Sequence, residues 1–209
     1  YISVTGVQTC ALPILANDFA MIDVLSNGRL DYGVGRGYSE AEYNSFGVPL
    51  AENRDRFEES LEVILKAWTN ETLSHQGTYY SIPSVQAIPA VVQKPHPPLF
   101  VAAGSPASVE WAGQRLVRML SSSGSPENIR RKWASYREHA LAAGHAPEAV
   151  EAALAESWVV KHIHVAEDDE TAVREAGERF LWFFRLIANR RMLDRKSTRL
   201  NSSHTDISR

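Results

Sequence analysis

Cysteine is nearly missing from this 209-residue chain, which has one, Cys10. A single thiol excludes an intrachain disulfide framework and any metal site built on several thiolates, and it fits a reducing, cytoplasmic setting. Long apolar runs are missing too. No stretch approaches the ~20 residues that a membrane helix needs. Positive charge is not in excess: Lys and Arg number 22 against 25 Asp and Glu, a net charge of −3. A mildly acidic chain offers no electrostatic case for nucleic acid or an anionic membrane as partner. There is no internal sequence repeat and no internal low-complexity segment.

The two ends have an unusual relation. Residues 2–14 and 194–206 pair in opposite directions so that each residue can be encoded by the reverse complement of its partner's codon. Ile14 as ATC gives GAT for Asp194, Pro13 as CCG gives CGG for Arg195, and the pairing runs on to Ile2 and Asp206. One DNA element read from both strands produces this, and both peptides resemble translated sequencing adapter. The expectation is therefore a non-native segment at 1–14, a natural domain at 15–193 and a non-native segment at 194–209, the outer two set aside before the fold is read. Setting aside Arg195, Lys196, Arg199 and Arg209 with Asp194 and Asp206 leaves 18 basic against 23 acidic residues. It also leaves no cysteine.

What is present is an alternation of helical and strand-like segments. Leu15, Phe19, Ile22 and Leu25 have helical spacing and end at Ser26-Asn27-Gly28. Residues 29–34 read as a strand running into Gly33-Val34-Gly35-Arg36-Gly37. Residues 53–68 carry Phe57, Leu61, Ile64, Leu65 and Trp68 on one stripe of an amphipathic helix. Residues 72–82 suggest a small excursion, and the proline-punctuated 89–98 an extended loop. Strands follow at 99–103, 116–120 and 157–165, with helices from Pro106, over 126–143, 147–155 and 168–187. A helix followed by repeated strand–helix units predicts an α/β fold with a parallel sheet. Four strands make about half of a (β/α)8 barrel, which takes ~250 residues when complete. Alternation alone leaves a doubly wound sheet and a barrel both open, and a first helix with no preceding strand fits a chain that starts mid-unit.

Two strand ends can carry chemistry. In Gly33-Val34-Gly35-Arg36-Gly37-Tyr38, Tyr38 stands where a dinucleotide fingerprint needs its third glycine, so that motif is not met. The segment does place an arginine between glycines at the C-terminal end of a strand, where α/β active sites gather. A guanidinium there can bind phosphate through paired hydrogen bonds, or simply bridge a neighbouring strand. In Gly104-Ser105-Pro106-Ala107-Ser108, Ser105 is placed as N-cap and Pro106 as the first helical residue. That helix start suits an anion, and it equally suits an ordinary cap. His162 and His164 share one face of a predicted strand without a recognisable third ligand, so no metal site is expected. His96 should lie at the opposite end of the sheet, and His75, His139 and His145 on the surface. Trp182-Phe183-Phe184 reads as core packing of a helix, and Glu167-Asp168-Asp169-Glu170 as its acidic cap.

Residues 15–38, Phe46-Gly47-Val48, the helix to Trp68 and Gln93-Lys94-Pro95-His96-Pro97-Pro98-Leu99-Phe100-Val101-Ala102 closely resemble the bacterial luciferase-like flavin-dependent monooxygenases. The resemblance covers 15–165 well and 166–193 loosely. It implies a (β/α)8 barrel, present here as a partial TIM barrel lacking the N-terminal strands and the last strand, that binds reduced FMN and uses dioxygen to oxidise a small organic substrate. It further implies a flavin reductase as partner and a homo-oligomeric intact protein. Arg36, within Gly35-Arg36-Gly37-Tyr38, matches the family's arginine on the flavin phosphate. Gly104, Ser105 and Ser108 match the loop and helix start that receive the same phosphate. Some family members have an acidic residue where Gly104 stands. The resemblance places the residues around the flavin ring mostly upstream of Leu15, so no catalytic residue is assigned. The deazaflavin F420, used by related oxidoreductases, is the alternative cofactor. For the fragment alone the alternative is a non-catalytic flavin-binding or self-associating piece, because unpaired strand edges invite association.

Overall fold

A computed structural model describes the backbone of residues 5–121 and 124–203 and the side chains of 11–121 and 124–186. In chain order the elements are α1 (Thr5–Leu25), β1 (Tyr32–Val34), α2 (Glu40–Ser45), α3 (Asn53–Thr69), β2 (Thr72–Gln76), β3 (Ser81–Gln86), β4 (Leu99–Ala102), α4 (Pro106–Gln114), β5 (Arg118–Ser121), α5 (Pro126–Ala142), α6 (Pro147–Ala155), β6 (Trp158–Val159) and α7 (Asp169–Ser203). They divide into two compact units, one of Tyr1–Arg36 with Arg54–Lys161, the other of Gly37–Asn53 with His162–Arg209.

The first unit is built on a four-stranded sheet in the order β1-β4-β5-β6, every neighbouring pair parallel. With α3, α4 and α5 crossing between strands, this is the expected α/β arrangement. No closed barrel forms among the described residues. The second sheet is the antiparallel hairpin β2–β3, the predicted excursion. β4 is buried at Leu99, Phe100 and Val101, as its apolar run requires. Around the sheet lie the fully buried Val63 and Leu73, with Val109, Met119, Tyr136 and Val150. α4 and α5 approach closely at Gly113, where an added Cβ would lie 2.7 Å from the Tyr136 carbonyl oxygen. Trp68 Nε1–H donates to the Ala16 carbonyl at 2.9 Å, and Tyr32 stacks edge-on against both Phe19 and Trp68. These contacts fasten α1 to α3 across the start of β1.

Strand limits follow their neighbours. β1 begins at Tyr32, not Arg29, because its partner β4 begins at Leu99 and Tyr32 N–H donates to Pro98. Arg29 instead folds back on Ser26. β5 begins at Arg118 because Leu116, at φ 54, closes α4 in the left-handed conformation and Val117 N–H reaches back to Ala112. β6 holds two residues where nine were expected, its last rung being Val160 N–H to Ser121 O. The histidine reading therefore changes: His162 and His164 are not on a strand.

In the second unit, Ser39 caps α2 and Asp168 caps α7, its carboxylate accepting from Thr171 N–H at 2.7 Å. The acidic run does start the helix as read. His164 pairs with Glu175 at 2.9 Å, and His162 lies among the rings of Phe180, Phe183 and Phe184. Trp182, expected in a core, is 65% exposed. α1 extends back to Thr5 through Pro13, and α7 on to Ser203, so both run into the segments set aside in the sequence.

Candidate cofactor site

Parallel strands end at the same side of a sheet, so the segments after β1 and β4 lie side by side there. Val34 pairs with Val101, and two residues later come Arg36 and Ala103. Ser105 then caps α4: its Oγ accepts from Ser108 N–H at 3.2 Å and lies 2.8 Å from Ser108 Oγ. Arg36 Nη2 reaches Ser108 Oγ at 3.4 Å, a long contact between the two loops. Ser105 is thus an ordinary helix cap, one of the two readings left open by the sequence, and Arg36 reaches the same helix start at Ser108. Arg36, Ser105 and Ser108 are brought together.

The glycines have unequal roles. A Cβ at Gly33, inside β1, would crowd Leu120 at 3.1 Å, so close approach is real there. At Gly35 it would meet Ala102 at an ordinary 3.4 Å, and at Gly104 it would meet nothing within 4 Å. Gly37 needs its freedom for another reason, a φ of +74°. Gly37 and the exposed Tyr38 fall in the second unit and are described with it.

Sequence reading named two of the residues that line this pocket, Arg36 and Ser108. Arg36, Val101, Ala102, Ala107 and Ser108 share it with Arg54, Phe57, Glu58 and Trp111. Arg54, Phe57 and Glu58 lie at i, i+3 and i+4 on α3, so one helix face supplies all three. The sequence held little signal for it, since the Arg54 cation shares the first turn of α3 with Asp55 and Arg56. Glu58 is held by Arg115 at 3.0 Å, whose guanidinium sits 4.7 Å from the Trp111 ring centroid. Phe57 meets Trp111 edge-on at 5.5 Å. The Trp111 indole N–H is buried without a hydrogen-bond partner among the described residues. The pocket's carboxylate is therefore tied to a third arginine, and Arg36, Arg54 and the Ser108 hydroxyl line the same pocket. This donor set fits a phosphate.

The other histidines resolve individually. His75, expected on the surface, is 7% exposed on β2, its Nε2 3.1 Å from Glu59. Alternation on β2 turns that position inward, and a carboxylate on α3 supplies its partner. His139 bonds the Ser135 carbonyl, and His145 the Gln114 carbonyl. His96 stands just before β4, at the N-terminal side of the sheet. Among the described residues no three His, Cys, Asp or Glu side chains cluster as a metal site would require, and no helix is long and apolar enough to cross a membrane.

Comparison with known proteins gives the family. The family profile described as luciferase-like monooxygenase matches residues 6–207. This chain belongs to the luciferase-like monooxygenase family. It is 36% identical over 102 residues to the oxygenase component of the flavin-dependent trigonelline monooxygenase of Acinetobacter baylyi, covering 48% of this chain and 28% of that protein. It is 30% identical over 136 residues to the FMNH2-dependent dimethylsulfone monooxygenase of Pseudomonas putida, covering 64% and 38%. An F420-dependent glucose-6-phosphate dehydrogenase of Amycolatopsis mediterranei is 31% identical over 106 residues, covering 48% and 31%. Among solved structures, the monooxygenase RslO1 of Streptomyces bottropensis superposes with a TM-score of 0.68 at 28% identity, covering 89% of this chain and 54% of that one. The matched segments thus span about a third of each curated relative's length. The family is one of flavin-type oxidoreductases, and its members named here use either a flavin or F420.

Proposed function

We propose that residues 15–193 carry the phosphate-gripping part of a monooxygenase that uses reduced FMN and dioxygen on a small organic substrate. The observation that carries this is the convergence of Arg36, Arg54 and Ser108 in one pocket at the C-terminal ends of β1 and β4. Two guanidinium groups suit the dianionic terminal phosphate of FMN better than the singly charged phosphodiester within F420. Reduced flavin supplies the electrons for oxidation; the residues here bind and orient it. Arg36 and Arg54 provide charge, Ser105 and Ser108 shape the helix start, and the Phe57–Trp111 pair lines the apolar side of the pocket. Because a reduced flavin is consumed, a separate cytoplasmic flavin reductase is the natural partner.

The F420 reading keeps the same pocket and rests on the F420-dependent relative. Anaerobic reconstitution of the full-length protein with each reduced cofactor separates the two. Oxygen consumption on admitting air to the FMN sample, with no oxygen-independent F420 turnover, is the predicted result. F420 turnover in the absence of oxygen would overturn it.

A further inference from the structure

Gly104 opens the turn into α4 with nothing within 4 Å of a methyl placed on it. No side chain packs against that position, so the hydrogen bonds of the neighbouring peptide are the contacts that hold the turn leading to Ser105. The Ala103 carbonyl, which begins that turn, accepts from Lys132 Nζ at 3.3 Å. The same ammonium donates at 2.9 Å to Ser121 Oγ, on the last residue of β5, whose side chain is fully buried. Ala103 N–H in turn bonds Leu120 O at 3.0 Å, so the two strand ends are already joined on one side. Lys132 closes the other side from α5, about two turns beyond the Ser125 cap. Half-buried Lys132 thus places its ammonium on two oxygens, one from each strand end. Burial lowers the ammonium's pKa below the ordinary lysine value, consistent with a desolvated head held by its acceptors.

We infer that Lys132 is a positioning residue for the phosphate turn, fixing the Ala103–Gly104 peptide so that Ser105 and Ser108 stand opposite Arg36. It does not touch the phosphate. This rests on the phosphate reading of the pocket above. A residue that orients binding groups should change affinity for the phosphate-bearing ligand alone, and a stabilising residue should not discriminate.

The test is fluorescence titration of the full chain with FMN and with riboflavin, which lacks the phosphate. Four proteins are compared: the parent, Lys132→Met, Lys132→Arg and Arg36→Ala. Losing one charge-assisted bond at the turn should weaken FMN about tenfold in Lys132→Met, with riboflavin changed by less than about twofold. Lys132→Arg, whose guanidinium can reach the same carbonyl, should return FMN to within about threefold of the parent. Circular dichroism of both variants should match the parent. The inference falls if Lys132→Met binds FMN like the parent while Arg36→Ala loses it. It falls equally if both flavins weaken together, if Lys132→Met unfolds, or if Lys132→Arg restores nothing. A parent that binds FMN no better than riboflavin would instead remove the phosphate reading, and the positioning role with it.

Discussion

Replacing Gly77 with alanine puts a methyl carbon where the Glu59 carboxylate lies. The built Cβ falls 2.0 Å from Oε1 and 2.5 Å from Cδ, and 2.5 Å from His75 Nε2. Glu59 cannot simply swing aside without cost, because it caps the β2–β3 turn. It accepts N–H bonds from Thr78 at 3.1 Å, Tyr79 at 3.0 Å and Tyr80 at 2.8 Å, and lies 3.1 Å from His75 Nε2. Hydrogen bonds to a charged group contribute about 1.5–3 kcal/mol each, and members of one network do not add fully. The clasp as a whole is put at about 4 kcal/mol, and reduced backbone entropy of the unfolded alanine variant returns about 1 kcal/mol. Gly77→Ala should therefore destabilise by about 3 kcal/mol, at the upper end of point-mutant effects. With a urea m-value of about 2 kcal/mol/M, the unfolding midpoint of the full chain drops by about 1.5 M. Glu59→Ala should cost about the same, and the double variant less than about 1 kcal/mol more. Burial pushes the Glu59 carboxyl up, but the backbone N–H donors and His75 outweigh it and hold the pKa below the ordinary value. Its contribution is then complete above about pH 4.3 and is lost as pH falls through the depressed value, so parent and variants converge in acid. A Gly77→Ala midpoint within 0.2 M of the parent, or costs that add in the double variant, would refute the clasp.

Gly113→Ala gains helix propensity of about 1 kcal/mol but drives a methyl to 2.7 Å from the Tyr136 carbonyl and 3.3 Å from Ala140 N, backbone atoms that cannot turn away. A net loss of about 1–2 kcal/mol in urea unfolding is expected; a stabilised variant would contradict the close α4–α5 approach. Asp23 is fully buried and accepts from Val92 N–H at 2.7 Å, Gln93 N–H at 3.0 Å and the Gln93 amide at 2.8 Å. Burial raises its pKa, but these donors prevail and lower it. Asp23→Ala should cost about 3 kcal/mol at neutral pH, a cost that fades as pH falls below about 3.9 through the native pKa. Melting temperatures measured across pH 2–7 should show that convergence; a pH-independent difference would contradict it.

How much of this was legible in the sequence depended on where each constraint lay. The parallel sheet was readable because Leu99-Phe100-Val101 is buried from both sides and must be continuously apolar. α5 and α6 were readable because Ser125-Pro126 and Pro147 announce their starts. Arg36 and Ser108 could be named one at a time, since each stands at a strand end with its own local signature. Their meeting across 72 residues could not be read, because no local pattern encodes contact between separate loops. Arg54 escaped because a helix face facing a strand mouth looks like any solvated face until the strands are placed. His75 escaped for the same reason: its partner, Glu59, is on another element. The over-long β6 shows the converse, since Val160–Val165 has strand-like alternation but among the described residues β5 pairs with Trp158 and Val159 alone.

The central claim is that Arg36 and Arg54 form a grip for the cofactor's terminal phosphate. Its most direct test is the ratio of riboflavin to FMN dissociation constants for the parent, Arg36→Ala and Arg54→Ala. The parent should favour FMN, and each substitution should cut that preference by roughly tenfold or more, because each removes a charge-assisted contact to phosphate and none to the ring. Unchanged preference in both variants, or equal weakening of FMN and riboflavin, would contradict the account.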